Sequence, residues 1–157
     1  MNSKTTFLTV ATLAAFIISC TNHTDENSSE KQIEIVEYGQ DTSTYFPFEL
    51  YYEGQDFDIM VYIEEDSLLD LYSPIFSKYD YSGNGYSWDG HIEQIIKKLD
   101  PELLNHIEFD SEAGAFFAIA DSRESQIRFG ELLHPIFSDL SILEKYIQEA
   151  DRSKIFD

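Results

Sequence analysis

The sequence predicts an α+β domain, an antiparallel sheet with helices packed on one face. Three observations carry this. Short runs of aromatic and β-branched residues, separated by polar turns, fill the segments before Ile63 and again between Ile107 and Ala120. Other segments repeat apolar residues at helical spacing, as Trp88, Ile92, Ile95, Ile96 and Leu99 do. The two kinds of segment follow the order β-β-β-α-α-β-β-α-α, with no internal repeat.

The N-terminal residues read as a lipoprotein leader. A polar lead from Asn2 to Thr6 carries Lys4, and the apolar stretch Phe7 to Ile18 follows it. A stretch of this length makes about 18 Å of helix, too short for a typical bilayer and suited to a signal-peptide core. Small Ser19 then precedes Cys20, and IISC resembles a lipobox, whose cysteine takes lipid before the chain is cut ahead of it. A buried strand with a chance cysteine is the competing reading, but charge, apolar length, small residue and cysteine fall in the order a leader requires. The expected organisation is therefore a signal peptide over 1–19, a lipidated Cys20 and flexible tether over 20–30, and a single acidic domain over 31–157. Such a chain is held in the cell envelope by lipid, at the outer membrane in a Gram-negative cell, with its domain facing the periplasm or the exterior.

Cys20 is the only cysteine, so the domain must hold by packing alone, without a disulfide or a cysteine-rich zinc site. All 30 acidic residues follow Cys20, against nine of the ten Lys and Arg, so the expected mature chain carries −21. That field repels nucleic acid and anionic lipid and favours a basic partner. A solubilising acidic surface is the plainer alternative.

Along the domain, QIEIVEY (32–38) reads as a half-buried strand, with Ile33 and Ile35 on one face and Val36 and Tyr38 on the other. Thr44 to Tyr52 and Phe57 to Ile63 form a hairpin around Glu53 to Asp56, with Phe57, Ile59, Val61 and Ile63 pointing inward. Pro74 interrupts a helical pattern between Glu64 and Tyr79, so the expectation is a short helix starting at Pro74 and capped by Ser73. Tyr81 to Gly90 is a glycine-rich loop that delivers Tyr86 and Trp88 and demands positive φ. A helix follows from about Trp88 to Leu99, with Lys97 and Lys98 in its favourable last turn. Asp100-Pro101 opens a short helical turn, and Ile107 to Phe109 pairs with Ala115 to Ala120. Ser122 caps a helix to about Phe137 that Pro135 kinks or ends early, and Ser141 with Glu144 forms a capping box for the last helix.

No constellation points to catalysis or a cofactor. Asp80, Ser82, Asn84 and Gly85 match the first half of a calcium loop, but the bidentate glutamate position holds His91. His91, His106 and His134 make no metal-binding spacing, and no nucleophile elbow, phosphate loop or dinucleotide fingerprint occurs. The expectation is neither an enzyme nor a metalloprotein. Binding makes better use of the residues: Tyr86 and Trp88 are rigid aromatic anchors, while Asp80, Asp89 and Glu112 are carboxylates able to meet Lys or Arg on a partner. Against this, Trp88 also begins the apolar stripe of its own helix, and Glu112 equally well ends a turn.

Two segments together resemble the immunity protein 51 family of bacterial polymorphic-toxin systems. One is the G-x-G-Y-x-W pattern at Gly83, Gly85, Tyr86 and Trp88; the other is the run at Phe109, Asp110, Glu112, Ala113, Gly114 and Phe116. The resemblance spans Tyr45 to Ala150. It implies a small α+β domain that binds and neutralises a cognate toxin, with no cofactor and no catalytic residues. An acidic surface suits a basic toxin, and a lipid anchor implies one that acts in, or passes through, the envelope. The rival expectation is an envelope lipoprotein serving as a binding or assembly module unrelated to toxins.

Overall fold

The computed structural model describes residues 37–157. The expected leader, Cys20, the tether and most of the expected first strand lie outside them. Strand β1 (Tyr38–Asp41) starts where that expectation ended, and β2 (Glu49–Glu53) and β3 (Asp56–Val61) form the expected hairpin. Helices α1 (Asp66–Ser77) and α2 (Gly85–Leu99) follow, then a 3-10 turn (Pro101–His106), β4 (Ile107–Phe109) and β5 (Phe116–Ala120). Helices α3 (Arg123–Phe137) and α4 (Leu140–Glu149) complete the order, with a short 3-10 turn at Arg152–Lys154. The sheet runs β1-β2-β3-β5-β4, antiparallel throughout.

The α+β class and its layering hold. Leu50, Ile59 and Ala118 stand side by side across β2, β3 and β5, and all three are fully buried. With Val61, Phe116 and Ala120 they make the inner face, against Leu68, Tyr72 and Phe76 of α1, the Trp88 stripe of α2, Phe129, Leu133 and Phe137 of α3, and Leu143 and Ile147 of α4. An aromatic cluster centres this core. The Trp88 ring lies 5.0 Å from Tyr72, 5.8 Å from Phe76 and 4.9 Å from Phe137, and Phe48 lies 5.3 Å from Phe129. Such pairs add roughly 0.5–1.5 kcal/mol each beyond burial, the kind of cohesion a core without a disulfide requires.

Five local expectations need correction. The glycine-rich loop ends at Asn84, whose side chain caps α2, so the helix starts at Gly85 and not at about Trp88. Pro74 does not start a helix; it sits inside α1. A helix-interior proline costs about 3 kcal/mol, but Leu68, Tyr72 and Phe76, four residues apart, are buried on both sides of it, and the Tyr72 hydroxyl donates to the Phe137 carbonyl at 2.9 Å. Pro135 likewise stays within α3, which continues until buried Ile136 and Phe137 are seated. Asp139, not Ser141, caps α4: its Oδ1 accepts from the Ser141 and Ile142 amides, while Glu144 turns instead to Lys78 and Tyr79. Finally, β2 starts at Glu49 because the Asp41 carboxylate accepts the Ser43 and Thr44 amides and folds the preceding residues into a turn that Pro47 cannot join to a ladder.

Candidate functional site

The glycine-rich loop positions the first candidate surface. Gly83 adopts φ +71°, and Asn84 then caps α2 by accepting the Ser87 amide at 2.8 Å. Gly85 packs directly on the β4–β5 connection. Its amide donates to the Ala113 carbonyl at 3.1 Å, and a Cβ there would stand 2.0 Å from the Glu112 carbonyl oxygen. The two glycines thus serve different needs, one a left-handed turn and the other a backbone contact.

This docking turns Trp88 into the core, where it is fully buried. Trp88 is therefore withdrawn as a partner anchor; the same stripe that starts α2 decides it. Tyr86, two residues earlier, is 44% exposed. Asp89 lies between them in character: half-buried, its Oδ1 accepts the Ser111 hydroxyl at 2.6 Å. Burial pushes its carboxyl up to about 6, Ser111 opposes the rise, and the nearby Glu93 and Asp110 charges add to it. Tyr86 and Asp89 share a depression of about 210 Å³ with Glu93, Phe109, Lys154 and Phe156.

The remaining candidates lie elsewhere. Asp80 sits with φ +59° in the α1–α2 connection, its carbonyl held by the Arg152 guanidinium at 2.7 Å, and does not line that depression. Glu112 is exposed on the β4–β5 connection and borders a second hollow of about 250 Å³ with Met60, Asp110, Ala115 and Phe117. The structure therefore joins Tyr86 to Asp89 in one depression, which neither Asp80 nor Glu112 lines.

Each histidine among the described residues is engaged locally through Nδ1. His91 is buried, its Nδ1 2.7 Å from the Ser87 carbonyl and its ring edge-on to Tyr81 at 4.5 Å, and desolvation lowers its pKa. His134 Nδ1 lies 2.8 Å from the Phe46 carbonyl. His106 Nδ1 lies 2.6 Å from the Asp121 carboxylate, which also accepts the Ser125 hydroxyl. In that trio the carboxylate stands between serine and histidine, so the imidazole has no hydroxyl to deprotonate. Among the described residues no group of three His, Cys, Asp or Glu could hold a metal, and no helix is long and apolar enough to cross a membrane.

A second surface, which the sequence-based candidates reach only at its rim through Glu112, is the outer face of the sheet. No helix covers it. Pairing aligns Tyr51, Asp58, Ile119 and Glu108 in one row across four strands, and Glu49, Met60 and Phe117 in the next. The result is an apolar centre of Tyr51, Met60, Phe117 and Ile119 among carboxylates, with Tyr62, 49% exposed, just beyond Val61. Tyr51 is held by a hydrogen bond to Glu49, which pushes its hydroxyl up to about 12, and burial raises Asp58 with help from Asp56. The signal that could have found this face is charge spacing: no Lys or Arg occurs between Lys31 and Lys78, and none lies in any of the five strands. Among the described residues the cations sit instead on the helices, their caps and the last 3-10 turn, where four of them meet carboxylates: Lys78 with Glu144, Lys98 with Glu149, Arg128 with Asp100 and Arg152 with Asp157.

What fold and surfaces define is a small α+β domain with a filled core, whose polar features lie on shallow acidic surfaces. The description of one family, immunity protein 51, matches residues 48–152, from the turn before β2 to the last 3-10 turn. The chain belongs to that family of immunity proteins, and both segments that carried the resemblance fall inside the match. No curated protein and no solved structure matches the chain.

Proposed function

We propose that this protein is the immunity partner of a bacterial toxin and neutralises it by direct protein–protein contact. Family membership over residues 48–152 is the observation that carries this reading. The acidity of the chain, −20 overall, supports a toxin with a basic contact surface. No cofactor or catalytic step is required: covering the toxin's working surface suffices. Lipid on Cys20 holds the domain in the envelope, so the toxin acts there or crosses it.

The test is capture of envelope and secreted proteins from the source bacterium by the chain, followed by co-expression of the captured protein. Recovery of a toxin whose lethality the chain suppresses supports the proposal; recovery of envelope assembly components with no lethality to suppress refutes it. If charge steers the encounter, the association rate falls steeply between low and physiological salt while dissociation changes less. The anchor is checked separately, by loss of metabolic lipid labelling in Cys20→Ser.

A further inference from the structure

We propose that the outer face of the sheet is the docking surface, and that its occupant is a basic protein segment that sets Lys or Arg side chains on the carboxylate rim around a small apolar centre. The identity of that segment as part of a toxin rests on the immunity reading; the chemistry of the face does not.

Charge is distributed so that this face carries carboxylates without a single cation, whereas the helices carry both signs. On the helical layer the carboxylates Asp100, Glu144, Glu149 and Asp157 have cation partners from the chain itself. On the sheet, Glu49, Asp58, Glu108 and Asp110 enter no ion pair among the described residues, and the strands supply no cation. Asp58 and Glu108 flank Ile119 in one cross-strand row, so a guanidinium or ammonium laid over Ile119 meets carboxylates on both sides. Removing water from such a site strengthens the attraction between unlike charges.

The apolar centre gives the face something to bury. Met60 and Phe117 are paired neighbours and wall the hollow that Asp110 and Glu112 rim. Four strands at ~4.8 Å spacing make the platform about 15 Å wide, enough for an extended segment or one helix. The depression at Tyr86 and Asp89 is the weaker candidate, because Lys154 and Phe156 of the chain's own C-terminal residues already line it, placing a cation beside its carboxylates.

The probe is a soluble synthetic peptide of alternating lysine and phenylalanine, with a glutamate–phenylalanine peptide as control, titrated into the 15N-labelled chain. Expected shifts cluster at Tyr51, Asp58, Met60, Phe117 and Ile119, with none of comparable size for the control. The triple variant Glu49→Lys, Asp58→Lys, Glu108→Lys weakens the lysine peptide by at least ~10-fold. The neutral variant Glu49→Gln, Asp58→Asn, Glu108→Gln, which introduces no new charge, shows a smaller loss in the same direction should the first fail to fold. Shifts centred on Tyr86, Asp89 and Phe156, no saturable binding, or unchanged affinity in the folded variants overturn the proposal. A toxin captured equally by wild type and the folded triple variant also overturns it while leaving immunity intact. If no toxin is captured and the peptide still maps to the sheet, immunity fails and the face stands.

Discussion

Replacing Gly85 by Ala sets two effects of opposite sign against each other. Gly85 opens α2, and helix propensity alone favours Ala there by at most ~1 kcal/mol. Against this, the added Cβ would stand 2.0 Å from the Glu112 carbonyl oxygen and 2.2 Å from that of Ala115, both backbone atoms that no rotamer change can move. Helix and β4–β5 connection must therefore separate by about 1 Å, which overpacking data place at ~1–3 kcal/mol. The hydrogen bond from the Gly85 amide to the Ala113 carbonyl stretches with that movement, at a further ~1 kcal/mol. The balance is a destabilisation of ~2 kcal/mol, or a fall in Tm of ~8 °C for a domain of this size. Thermal unfolding followed by circular dichroism measures it, and amide shifts at Glu112 to Ala115 show where the strain goes. A Gly85→Ala protein as stable as wild type, or more so, refutes the close-approach account and leaves propensity as the only effect.

Other perturbations separate fold from surface. The buried Gln126 amide donates to the Tyr51 carbonyl at 2.7 Å and the Asp58 carbonyl at 2.6 Å, so Gln126→Leu leaves both without that donor; a loss of ~2–4 kcal/mol in chemical denaturation is expected, and an unchanged midpoint would sink the clamp. The Asp89 carboxyl titrates at about 6 in the fold against an ordinary 3.8, so the folded state takes up the proton first and the wild type gains stability as pH falls from 7.5 through 6 towards 4. Asp89→Asn removes the half-buried charge and should gain ~1 kcal/mol at pH 7.5, after discounting for solvent at the depression, roughly half of that at pH 5 and nearly nothing by pH 3; a gain that does not shrink with falling pH contradicts the burial argument. His91 acts oppositely, its lowered pKa costing stability as pH drops through 6.5, but it does so in both proteins and cancels in the comparison. Tyr86→Ala should change stability by less than ~1 kcal/mol, since the residue is 44% exposed and outside the buried core, and a larger loss would place Tyr86 in the core.

Much of the architecture was legible in the residues alone. Strand alternation and helical stripes are local patterns with periods of two and 3.6, and they located both hairpins, α2, α3 and the layering of helices on one face. The two glycines of the G-x-G-Y-x-W segment announce a constrained turn by themselves. What failed was local chemistry that distant packing overrules. Pro74 and Pro135 signal a break by themselves, yet residues on either side of each are drawn into one core, and burial outweighs the lost hydrogen bonds. Ser141 lost its capping role to Asp139, whose carboxylate accepts two amides, because Glu144 is pulled away to Lys78 on another helix. The surfaces divide in the same way. Net charge is a property of composition, so the sequence by itself determined that a partner must tolerate a strongly acidic protein. Where that charge is left unanswered depends on which carboxylates find cations across the fold and which strands lie side by side, as Asp58, Ile119 and Glu108 do. Those neighbours are 11 to 61 residues apart in the chain, and only the tertiary structure, by closing β5 between β3 and β4, brings them onto one open face.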